Sequence, residues 1–112
     1  MEIKNNSSRD GRLAEMIREK AALFLQRESS RISLITVTGV QLADAGKLAY
    51  ILYTVMPVHK QPEAEDFLKR MRGEFRKYFM SEVRIGRVPT FDFKLDLGEK
   101  HRQKIDDLMN KL

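Results

Sequence analysis

Seven basic side chains, Lys69, Arg70, Arg72, Arg76, Lys77, Arg84 and Arg87, lie between residues 67 and 87, against only Glu74 and Glu82. Their surplus equals the whole net charge of +5, concentrated in about a fifth of the chain. Cations at this density neutralise phosphate and release its counterions, so a polyanion is the partner they suit. Such contacts hold a nucleic-acid backbone without reading its sequence.

The stretch that must carry five of them is Glu63 to Met80. Ala64, Phe67, Leu68, Met71, Phe75, Tyr78 and Phe79 recur at steps of three and four, the spacing of one helix face. Lys69, Arg70, Arg72, Arg76 and Lys77 fall on the other face, and Gly73 falls among them. Glycine inside a helix costs about 0.5–1 kcal/mol relative to alanine, and here it has no core to pack against. It either kinks the helix or clears space for something approaching the backbone. A surface glycine between two consecutive helices is the structural alternative.

Other chemistry finds little footing. The chain has no cysteine, and His59 and His101 are isolated, so no metal-ligand spacing and no nucleophile–base pair is legible. Asp92 and Asp96 share one strand face, which suits a solvated surface better than a cation site. The expectation is a protein without catalytic residues, metal or cofactor.

At 112 residues the chain is long enough to bury a core as one domain spanning residues 1–112, with residues 1–8 as a flexible tail. The polar start has no apolar leader, and the longest apolar run, Leu48 to Pro57, is too short for a bilayer. With no cysteine this predicts a soluble cytoplasmic protein that does not engage membranes, and a monomer.

Leu13, Ile17, Ala21 and Phe24 predict an amphipathic helix from about Asp10 to Glu28. Arg9, Arg12, Lys20 and Arg27 lie within an arc of about 80° beside that stripe, either a solvated flank or a second basic strip. Arg31 to Leu42 and Lys47 to Met56, rich in Ile, Val and Thr, predict two strands joined by Ala43-Asp44-Ala45-Gly46, with Gly46 free to take positive φ. Pro62 and the acidic Glu63, Glu65 and Asp66 suit the start of the basic helix. Phe91, Phe93 and Leu95 alternate with Thr90, Asp92, Lys94 and Asp96, a half-buried strand entered through Pro89. Tyr50, Tyr53, Phe91 and Phe93 could stack bases if exposed, but their strand positions predict core. Ile105, Leu108, Met109 and Leu112 predict a short terminal helix. The order is helix, strand, strand, helix–kink–helix, strand, short helix.

In this order the chain resembles the ribosome-binding factor A family. The likeness is carried by Arg12-Leu13, Ile17 and Phe24, and by Leu34-Ile35-Thr36-Val37-Thr38-Gly39-Val40 running into Leu42 and Asp44. It continues in the helix pair around Gly73 and in Arg87-Val88-Pro89-Thr90-Phe91-Asp92-Phe93-Lys94-Leu95-Asp96. The resemblance implies an α+β, type II KH-like fold, αββααβ, with a three-stranded sheet packed against helices. KH domains clamp a nucleic-acid backbone with a GXXG loop, which this family replaces by an Ala-x-Gly kink. Here the triplet is Met71-Arg72-Gly73, and a lysine usual in the second strand is Ala49.

The implied function is binding of small-subunit rRNA in precursor particles, on the free small ribosomal subunit, to assist its late maturation. RNA contact falls to Lys69, Arg70, Arg72, Gly73, Arg76, Lys77, Arg84 and Arg87, with Arg12, Lys20 and Arg27 as a second strip. The alternative is a small basic protein-interaction module whose cationic face meets an acidic protein; a salt titration against structured RNA separates the two.

Overall fold

The computed structural model describes residues 3–28 and 34–98, with side chains from residue 10 onward. The proposed terminal helix, His101 and the side chain of Arg9 lie outside these residues. The elements are α1 (Ile3–Glu28), β1 (Leu34–Ala43), β2 (Leu48–Met56), a short 3-10 turn (Val58–Lys60), α2 (Gln61–Glu82) and β3 (Thr90–Leu95). The sheet has the order β1-β2-β3, with β1 antiparallel and β3 parallel to β2. Helix α1 packs chiefly on β1 and α2 on β3, so one sheet face is covered.

The hairpin follows from turn chemistry. Asp44, Ala45 and Gly46 all take positive φ, at 54°, 54° and 82°, and the N–H groups of Gly46 and Lys47 donate to the carbonyls of Ala43 and Asp44. Glycine takes that conformation at no steric cost. One feature of β1 is not visible in its composition. The register shifts between Val37 and Gly39, so Thr38 is an extra residue and the alternation changes phase. Ile35 and Val37 precede the bulge, Val40 and Leu42 follow it, and all four pair with core-facing Val55, Tyr53, Ile51 and Ala49 of β2. Without the bulge, half of β1 would turn its apolar side chains away from the helices.

Phe75 is the centre of the core. Its ring centroid lies 5.4 Å from Phe24 of α1, 6.0 Å from Phe79, and 4.9 and 6.2 Å from Phe91 and Phe93 of β3. Edge-on pairs of this kind add about 0.5–1.5 kcal/mol each beyond burial. Ile17, Ala21 and Leu25 of α1 and Ala64 and Leu68 of α2 complete the helix side.

Three expectations need correction. The first helix begins at Ile3, not near Asp10, and contains Gly11, because helix propagates beyond the turns that an apolar stripe anchors. The helix–kink–helix is one continuous helix through Gly73. The buried residues Ala64, Leu68, Phe75 and Phe79 keep a single helical phase across the glycine. A break would take Phe75 and Phe79 out of the core, where losing such a side chain costs about 3–5 kcal/mol, against about 1 kcal/mol for the glycine. Tyr50, finally, is not core. Its neighbours Ala49 and Ile51 are fully buried, so its side chain stands on the other sheet face, where Lys94 Nζ sits 4.4 Å from the ring centroid.

Candidate nucleic-acid interface

The basic residues of α2 divide into two flanks about Gly73. With about 100° per residue, Gly73 points about 150° from the middle of the buried stripe, at the crest of the helix. A Cβ added there would meet no atom within 4 Å. Lys69, Arg72 and Arg76 fall on the flank toward β3, and Arg70 and Lys77 on the flank toward α1.

On the β3 flank, the arginines reach over the sheet edge. Arg72 Nη1 donates to Asp92 Oδ1 at 3.4 Å, and its Nε donates to the Lys69 carbonyl at 3.3 Å. Arg76 Nη2 donates to the carbonyl of Val88 at 3.2 Å. Both side chains remain exposed, as does Lys69, whose ammonium lies 3.7 Å from Glu65. The connection from α2 to β3 extends this flank. Val83, Ile85 and Val88 pack against the core and Pro89 is buried, which turns Arg84 and Arg87 outward. Among the described residues neither has a carboxylate within ion-pair reach, nor do Arg70 and Arg12.

On the α1 flank, Lys77, Lys20 and Arg27 each have a carboxylate nearby, and Arg70 has none among the described residues. Lys77 lies 4.0 Å from Glu74, Lys20 of α1 lies 3.5 Å from Glu82, and Arg27 lies 3.6 Å from Glu28. Arg27 also rests over the Tyr78 ring at 5.0 Å. Arg27 and Lys77 line one groove between the helices, floored by Phe24, Met71 and Tyr78. The strip on the first helix therefore does adjoin the second helix, at Arg27 and Lys77, but carboxylates accompany it. Arg12 is exposed and belongs to neither group of contacts.

These exposed ion pairs do not lock the cations. Pairs of this kind are worth about 0–1 kcal/mol, so an incoming phosphate can replace the carboxylate. What sequence reading missed is the role of Asp92. Its place in an alternating strand marks it as facing away from Phe91 and Phe93, but only the packing of α2 against β3 brings it to Arg72. Among the described residues no group of His, Asp and Glu is assembled that could hold a metal ion. None of the described helices is long and apolar enough to cross a membrane.

Similarity to known proteins agrees with this architecture. A family model described as Ribosome-binding factor A matches residues 9–109. The chain belongs to the Ribosome-binding factor A family. A Ribosome-binding factor A of Thermomicrobium roseum is 27% identical over 109 residues, covering 95% of this chain and 84% of that protein. One from Desulfitobacterium hafniense is 31% identical over 104 residues, covering 90% and 83%. The crystal structure of ribosome-binding factor A from Thermus thermophilus superposes with a TM-score of 0.67 at 20% identity, covering 76% of this chain and 93% of that one. The fold is thus the KH-like α+β fold of Ribosome-binding factor A, with Met71-Arg72-Gly73 inside α2. Met71 is half-buried and lines the groove between α1 and α2.

Proposed function

We propose that this chain is a ribosome assembly factor that binds small-subunit rRNA in precursor particles and assists late maturation of the small subunit. It acts as a monomeric, single KH-like domain by binding, without catalysis. One observation carries this reading. Arg72 and Arg76 overhang the sheet edge, Arg76 reaching the Val88 carbonyl next to Arg87, and the backbone at Gly73 is open beside them. An RNA backbone can approach that crest closely because no side chain stands in the way, and each cation that meets a phosphate releases a counterion.

The test is the double charge reversal Arg72→Glu with Arg76→Glu. Co-sedimentation with purified small ribosomal subunits should be lost, while the thermal unfolding midpoint shifts by only a few degrees, since only surface contacts are removed. A folded double variant that still co-sediments like the parent would refute the site. Preferential capture by an acidic protein surface, with no salt-dependent RNA binding, would favour the interaction module instead.

A further inference from the structure

We propose that Asp92 sets how tightly the β3 flank of α2 holds phosphate, by competing with it for Arg72. This rests on the reading of that flank as phosphate-binding. Glu65 and Glu74 sit on α2 itself, four and three residues from the lysines they pair with, and move with them. Asp92 differs because it comes from another element and is tied to the backbone. Its Oδ1 accepts from the N–H of Phe93 at 2.9 Å as well as from Arg72 Nη1 at 3.4 Å.

The register explains why that N–H is available. The N–H groups of Thr90 and Asp96 donate to Lys47 and Tyr53 of the neighbouring segment, so alternate residues of β3 turn toward β2. Phe93, of the opposite parity, turns its N–H to the outer edge of the sheet. Asp92 closes this edge group with its own side chain, and its carboxylate stays at the edge whichever way Arg72 moves. Arg72 is in turn held from behind by the Lys69 carbonyl. Two of the five guanidinium donors are thereby engaged, and the rest are left for an incoming anion.

Carboxylate and phosphate seek the same donors of a guanidinium. A phosphate arriving at Arg72 must therefore either displace a carboxylate that cannot leave with the arginine or bind beside its negative charge. Asp92 weakens binding and favours release, which suits a factor that has to depart from its RNA.

The experiment measures affinity for a fluorescently labelled RNA hairpin by anisotropy, at low and at physiological salt. It compares the parent, Asp92→Asn, Arg72→Gln and the double variant. Asparagine keeps an oxygen for the Phe93 N–H while removing the charge, and unfolding midpoints report whether each variant is folded. Asp92→Asn should tighten binding about two- to five-fold at low salt, the range of an exposed ion pair, and this gain should vanish in the Arg72→Gln background. An equal gain in both backgrounds would mean general charge removal and overturn the proposal. So would unchanged or weaker binding in Asp92→Asn. If Arg72→Gln alone leaves affinity unchanged, the reading of the flank fails together with it. If Arg72→Gln weakens binding and Asp92→Asn does not tighten it, only the competition is wrong.

Discussion

Phe75 of α2 stands edge-on to Phe91 of β3, with ring centroids 4.9 Å apart and an interplanar angle of 67°. This contact sets how far α2 lies over the sheet. Arg72 and Arg76, one turn apart on the flank beside Phe75, are thereby carried over the edge strand, where they find Asp92 and the Val88 carbonyl. The core therefore positions the cations, and the surface chemistry of this face follows from an aromatic pair beneath it.

Gly73 separates a stability effect from a binding effect. It lies inside a regular helix, outside the positive-φ region, and an added Cβ meets nothing. Gly73→Ala should stabilise the fold by about 0.5–1 kcal/mol, a rise of about 2–6 °C in the unfolding midpoint. Gly73→Ile should fold as well, yet bind RNA more weakly, because a branched side chain stands where the backbone of the ligand would come. Undiminished RNA affinity in the isoleucine variant would show that Gly73 contributes nothing to close approach.

The two flanks should contribute unequally. Removing charge at Arg72 and Arg76 should lower the slope of log affinity against log salt by between about one and two, since among the described residues Arg76 meets no carboxylate and Arg72 faces only Asp92. Removing it at Arg27 and Lys77 should lower that slope by less than about one, since these cations already face Glu28 and Glu74. Salt titrations of the two double variants decide the matter, and equal slopes would show that the carboxylates on the α1 flank do not matter.

Stability should fall at alkaline pH because of Tyr53. Burial pushes its phenol above the usual value, helped by the negative charges of Glu65 and Asp92. The folded chain therefore holds this proton at a pH where the unfolded chain releases it. The contribution is fully present below the ordinary phenol pKa of about 10 and is lost as pH rises toward the folded-state value. Tyr53→Phe should flatten that limb of a stability-against-pH curve relative to the parent, and superimposable curves would remove Tyr53 as its cause.

Much of this molecule was legible from residue order. The apolar spacing that predicts α2, the turn at Gly46, and the alternation of Phe91, Phe93 and Leu95 are all local patterns, and local geometry suffices to read them. The same holds for the clustering of positive charge between Phe67 and Arg87. The bulge at Thr38 was not legible, because it appears only when β1 must keep its apolar residues in step with β2. Nor was the unbroken run of α2 through Gly73. A glycine's intrinsic preference is worth about 1 kcal/mol, and the buried phenylalanines on one side of it outweigh that.

By itself, then, the sequence determined the strands, the basic helix, the order of the described elements, the family and the sign of the surface charge, since each rests on local patterns along the chain. Only the tertiary structure decided which cations share a side of the molecule and which carboxylates stand beside them. Asp92 meets Arg72 across twenty residues because α2 and β3 bury their aromatic rings against each other. Charge pairing at that separation is a consequence of packing.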